Sequence, residues 1–124
     1  MEKKLILNTE NKNQKVILGK KGFEEILAFG GIYEDIKEYL LAVPGSIYDR
    51  PGLELKYKEM VSIASLLTQG ASDELLKSHI QGGLNAGLTT KEIVEIFIQC
   101  IPYIGFPRVI TATRASLSVL KNEE

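Results

Sequence analysis

The chain of 124 residues contains one histidine, His79, in the stretch "SHIQGGLNAG". An imidazole titrates near neutral pH, so it can give or take a proton under cellular conditions. One histidine with scattered acids is a poor metal constellation, and no metal is expected. With Leu76, Ile80, Gly83 and Leu84, His79 falls on one face of a predicted helix. That placement fits a packed core residue or a proton donor in an apolar site. Glu59 stands in "KYKEMVSIASLL", one helical turn before Ile63. If that helix is buried, the carboxylate needs a partner. If Glu59 is on the surface, Lys56 or Lys58 can pair with it weakly. Arg50, in "RPGL", offers a guanidinium that can clamp a substrate carboxylate through two hydrogen bonds, or anchor its own loop. Tyr103 precedes Gly105 and Pro107 at a predicted helix junction, where its hydroxyl can line a pocket or its ring can pack. Cys100 is the single cysteine, so it has no internal disulfide partner and no resolving thiol.

These residues need elements to position them, and glycine and proline punctuate the chain clearly. Residues 1 to about 20 are weakly patterned. "KLIL" and "KVILG" read as short strands or as a frayed lead segment. A helical pattern begins at Phe23 and breaks at Gly30 and Gly31. A second helix carries Ile32, Ile36, Tyr39 and Leu40 and is predicted to stop near Pro44 and Gly45, leaving "PGSIYDRPG" as a loop. The third runs from about Leu53 to Gln69 with Gly70 as its stop. Its middle, "MVSIASLL", is apolar on more than one face, which predicts burial among neighbours. The fourth spans about Ser72 to Ala86, with Ser72 as N-cap and Asp73 and Glu74 in the first turn. Gly82 and Gly83 inside it each cost a helix about 1 kcal/mol relative to alanine, which points to close approach of another helix or a ligand. The fifth opens on Thr89–Glu92, the pattern of a capping box. It carries Ile93, Ile96, Phe97, Cys100, Ile101 and Ile104. The sixth starts near Pro107 and carries Val109, Ile110, Thr113, Leu117 and Leu120. The reading is a single all-α domain over residues 1–124, a bundle of about six helices.

From Ile47 to about residue 120 the chain resembles the carboxymuconolactone decarboxylase family. The matching stretches are "YDRPGLELKYKEMVSIASLL", "ELLKSHIQGGLNAGLTTKEIVEIFIQ" and "YIGFPRVITA", in that order. The resemblance implies an alkyl hydroperoxidase D-like helical bundle that assembles into trimers or hexamers. It also implies one of two chemistries. The decarboxylases act on a lactone of aromatic catabolism without a cofactor. The hydroperoxidase-like members use a Cys-x-x-Cys pair just before the histidine. Leu75 and Ser72 occupy those two positions here, so the thiol mechanism lacks its residues. His79 matches the family's active-site histidine. Glu59 matches a glutamate that shares a proton relay with it in hydroperoxidase-like members. Tyr48 stands in a neighbourhood where decarboxylases commonly have tryptophan, and Lys56 and Lys58 stand where they have arginine.

Composition closes off other classes. The formal net charge is −1, with 15 basic and 16 acidic residues interspersed, so no basic stripe marks a nucleic-acid partner. No apolar run approaches the ~18 residues of a membrane span, and the opening residues do not read as a signal peptide. A cytoplasmic homo-oligomer is expected. The functional expectation is a cofactor-free, decarboxylase-like enzyme for a small carboxylated lactone or related acid. His79 would donate the proton, Glu59 would orient or recharge it, Arg50 and Tyr103 would contact substrate, and helices three to five would enclose a dry cavity. The alternatives are a peroxiredoxin-type antioxidant protein of the hydroperoxidase kind, or a non-catalytic oligomeric binding protein of the same fold.

Overall fold

The computed structural model describes residues 10–120. Within them the chain forms six α-helices, α1 (Lys12–Leu27), α2 (Glu34–Tyr48), α3 (Leu55–Gln69), α4 (Asp73–Asn85), α5 (Thr90–Ile104) and α6 (Phe106–Leu120), and no strand. A short 3₁₀ turn, Gly31–Tyr33, leads into α2. The fold is the all-α bundle expected. Helix α4 is central, packed by α1, α3 and α6, while α5 bridges α3 and α6 and α2 docks on α1. The core is built from Ile63 and Leu67 of α3, Leu76 and Ile80 of α4, Ile93, Ile96 and Phe97 of α5, and Val109 and Ala112 of α6.

The ends of the middle helices form as their sequences predict. The Ser72 hydroxyl accepts from the backbone N–H of Leu75, and Asp73 and Glu74 face the positive end of α4. Thr89 and Glu92 form a reciprocal capping box on α5. Gly70 takes the left-handed conformation, φ 68° and ψ 41°, and lets the Ala71 N–H return to the Leu66 carbonyl.

The first two helices differ from expectation. "KVILG" is neither strand nor frayed lead but part of α1, which begins well before Phe23; "KLIL" lies outside the described residues. Helix α1 is interrupted at Gly19, whose φ of 71° and ψ of 170° are not helical. The two carbonyls just before this break, those of Val16 and Ile17, accept from the Asn85 side chain of α4. Helix α2 does not stop at Pro44 but continues through it to Tyr48. A proline supplies no N–H to the carbonyl four residues back, here that of Leu40. The Gln14 side-chain amide donates to that carbonyl at 2.8 Å, and Asn11 donates to the neighbouring Leu41 carbonyl at 2.5 Å. Gly45 keeps the space open, because a Cβ there would run into the Asn11 amide. A polar patch at the start of α1, with Asn11 and Gln14 each 4% exposed, therefore replaces the hydrogen bond that Pro44 removes and holds the carbonyl beside it.

The apolar residues expected to bury on α2 and α6 are partly turned out. Ile32, Ile36 and Tyr39 are exposed, as are Ile110 and Leu117. On α6 the inward positions go to the smaller Ala112, Ala115 and Ser116, which let it approach α4 closely. No helix among the described residues is long and apolar enough to cross a membrane.

Candidate active site

Glu59 has no exposed surface, and both of its oxygens meet a proton donor. Its Oε1 lies 2.5 Å from Nδ1 of His79, and its Oε2 accepts from the Tyr48 hydroxyl at 3.1 Å. The alternative of a surface carboxylate paired to lysine is thereby corrected. Lys56 lies over the Tyr57 ring, and Lys58 is engaged elsewhere. Three helices supply the three groups: Tyr48 ends α2, Glu59 is in the second turn of α3, and His79 is mid-way along α4.

The glycine pair beside His79 makes this meeting possible. A Cβ on Gly82 would sit 2.7 Å from Ile17 Cγ2 and 3.4 Å from Glu59 Oε1. A Cβ on Gly83 would meet Leu88 at 3.0 Å, Ile63 at 3.2 Å and the Glu59 side chain at 3.7 Å. The helix gives up intrinsic stability so that α1 and α3 can close on it with a carboxylate between them.

Tyr48 also faces outward. With Ser62, whose hydroxyl is 3.3 Å from the Tyr48 oxygen, it lines a cleft of about 590 Å³ between α2, the α2–α3 loop and the start of α3. Val43, Pro44, Ile47, Leu53 and Val61 form its apolar walls, and Arg50 and Lys58 are its cations. Burial, and then the negative charge of Glu59, push the Tyr48 hydroxyl up to about 12, so it stays protonated at neutral pH.

The two cations are not equivalent. The Lys58 ammonium donates to the carbonyls of Ile47, Tyr48 and Arg50, using its three protons on the chain that leaves α2. It caps the negative end of that helix. Desolvation lowers its pKa first and the nearby Arg50 charge second. The exposed Arg50 lines the same cleft as Tyr48, in the position to meet an anion there.

Other expected placements differ. The cleft beside Tyr48 lies between α2 and α3, not among helices three to five. A separate hollow of about 510 Å³ between α3 and α5 holds Met60, Ala64, Ile96 and Cys100. His79 lines neither. Tyr103 is 80% exposed on the outer side of α5 and does not line the cleft with Arg50. Cys100 belongs to the hollow, and burial pushes its thiol up, away from the reactive thiolate. Ser72, where one thiol of the redox pair would stand, is the N-cap of α4.

Comparison with known proteins decides the family. Residues 34–117 match the model of the Carboxymuconolactone decarboxylase family. The chain belongs to that family. The match opens ahead of Ile47, where the sequence resemblance begins, and so takes in all of α2. Among curated relatives, 4-carboxymuconolactone decarboxylase of Acinetobacter baylyi is 35% identical over 78 residues, 63% of this chain and 58% of that protein. Nitrosuccinic acid decarboxylase of Metarhizium robertsii is 34% identical over 68 residues, 55% of this chain and 47% of that protein. An uncharacterized 15.0 kDa protein of Paracoccus denitrificans is 30% identical over 81 residues, 64% of this chain and 60% of that protein. The chain thus spans about half to three fifths of the length of these relatives.

Sequence reasoning singled out His79, Glu59 and Arg50 but treated Tyr48 only as a departure from the family. Ser62 was not singled out at all. The usable signal was spacing: Glu59 and Ser62 are three apart on one helix face, which lets one neighbouring group meet both.

Proposed function

We propose that this protein is a decarboxylase-like enzyme for a small carboxylated lactone or related enolisable acid, working without a cofactor as the family resemblance implies. The observation that carries this reading is the buried chain of hydrogen bonds from His79 through Glu59 to Tyr48, ending at a mostly apolar cleft that also holds Arg50. Decarboxylation needs an oriented acid, surroundings poor in water, and a proton returned to carbon. Arg50 would hold a carboxylate of the substrate through its guanidinium. The walls formed by Val43, Ile47 and Leu53 would take the carbon skeleton. His79 would supply the proton, with Glu59 fixing its ring and balancing its charge. The two named relatives act on different acids, a carboxymuconolactone and nitrosuccinic acid, so both are the first substrates to try. Tyr103 would contact substrate only from a second copy of the chain, since within one copy it faces away from the cleft.

The test is CO₂ release from a panel of small carboxylated lactones and aliphatic diacids, in parallel with NMR titration of the single imidazole. Turnover of one acid should fall about 100-fold or more in His79→Gln, in line with the usual contribution of a general acid. In Arg50→Met the KM for that acid should rise. A protein that releases no CO₂ from any panel member, and whose imidazole signal ignores them all, is not this enzyme.

A further inference from the structure

The imidazole and the cleft do not meet. His79 is absent from the cleft lining, and its Nδ1 is turned to Glu59, which has no surface of its own. Among the described residues, Tyr48 is the one that both bonds to this carboxylate and lines the cleft. Ser62 also lines the cleft, but its hydroxyl bonds to the Lys58 carbonyl at 3.1 Å and to the Tyr48 oxygen, not to Glu59. A hydrogen-bonded route from His79 to the cleft therefore runs through the phenol.

We propose that Tyr48 hands the proton to the substrate carbon, and that Glu59 and His79 resupply it. The inference rests on the decarboxylase reading above. In the step, the bond between carbon and the departing carboxylate breaks, CO₂ leaves, and the electron pair enters the conjugated carbonyl as an enolate. The Tyr48 O–H bond then breaks and its proton forms a C–H bond at the enolate carbon. The phenolate is reprotonated by Glu59, which takes a proton on Oε1 from Nδ1 of His79. A half-turn of the carboxyl group exchanges its two oxygens and carries that proton to the tyrosine side. The imidazole, 19% exposed, takes a proton from water on Nε2 as it releases the one on Nδ1, and exchange of that proton through water back to Nδ1 restores the starting tautomer. The net change is one proton from water in place of one CO₂, and the three side chains end as they began.

The arrangement suits a phenol. A weak acid keeps its proton until a base as strong as an enolate forms beside it, so the site is always loaded at neutral pH. Ser62 at 3.3 Å, by turning its proton from the Lys58 carbonyl, offers the phenolate a hydrogen bond in the interval before reprotonation.

The experiment uses the full chain and the acid that it turns over in the CO₂ assay. Tyr48→Phe keeps the ring and removes the hydroxyl. The expected loss in kcat is about 100-fold or more, with KM within about threefold and the His79 titration still present. A fluorinated tyrosine at position 48 keeps the hydroxyl and makes it more acidic. It should retain turnover while the alkaline limb of the pH–rate profile moves to lower pH, which a purely structural hydroxyl would not cause. If Tyr48→Phe instead keeps kcat within about threefold of wild type while His79→Gln is inactive, the tyrosine step is wrong and the decarboxylase reading stands. An unmoved alkaline limb in the fluorinated protein also overturns the step, even if Tyr48→Phe fails to fold. A wild-type chain that turns over no acid overturns both.

Discussion

Glu59 is the residue on which the site depends, because a carboxylate with no exposed surface must have its charge answered locally. His79 and Tyr48 answer it from opposite oxygens, and neither is a sequence neighbour. The phenol responds to that charge. Its folded pKa is raised from 10.0 to about 12 by burial and then by the charge of Glu59, so the folded state holds this proton more tightly than the unfolded chain does. By linkage, the contribution of Tyr48 to stability is fully present below pH 10, falls as pH rises, and is gone above about pH 12. Denaturant midpoints measured across that range should fall more steeply for wild type than for Tyr48→Phe, and the difference between the two isolates Tyr48 from the other tyrosines. How much of this was legible depends on the residue. His79 stood out as the single imidazole, and Glu59 stood out as an acid on an apolar helix. Tyr48 reaches Glu59 only because the end of α2 passes the start of α3, and no local pattern in the sequence carries that crossing.

Among the elements, α4 carries the largest internal conflict. Helix propensity favours replacing Gly82 with alanine by about 1 kcal/mol. Packing opposes it, since the new Cβ would stand 2.7 Å from Ile17 Cγ2 and 3.0 Å from the Ile17 carbonyl oxygen. Backbone oxygen cannot rotate away as a side-chain tip can, so packing wins. Gly82→Ala is expected to destabilise the fold by about 1–2 kcal/mol, within the usual range for overpacking. Thermal or denaturant unfolding should show the loss, and a stabilised variant would mean that α1 yields freely. The same contrast explains which helices could be read in advance. The ends of α4 and α5 depend on caps within a few residues, so Ser72, Thr89 and Glu92 announced them. Helix α1 is anchored by buried polar groups and broken at Gly19, so apolar periodicity found only its last part, from Phe23. Helix α2 survives Pro44 only through side chains some thirty residues earlier, which no local rule supplies.

At the scale of the whole molecule, an apolar face remains unpartnered among the described residues of a single copy. Ile36, Tyr39, Val43 and Ile47 follow one another along α2 at helical spacing, Ile32 precedes them in the 3₁₀ turn, and all are exposed. A continuous apolar stripe of this kind marks an association surface. The chain is therefore expected to run as a homo-oligomer, a trimer or hexamer by the family resemblance, in size-exclusion chromatography with light scattering at micromolar concentration. Ile36→Glu should shift it toward smaller species, and a wild-type monomer would refute the expectation. The stripe ends at Val43 and Ile47, which also wall the cleft, so an assembly through this stripe would share residues with access to the site. The polar seam between α1 and α2 bears on where the working unit begins. The family match opens at residue 34, after α1 has ended. Yet Gln14 and Asn11 hold the carbonyls around Pro44, the Asn13 amide side chain holds the Tyr48 carbonyl, and Asp49 receives the N–H groups of Lys12 and Asn13. Ile17 lies across Gly82. A version trimmed to the shared boundary would keep every residue proposed for chemistry and lose the splint that sets the tyrosine at the mouth of the cleft; the stretch that the family shares and the stretch that holds this site together are different lengths.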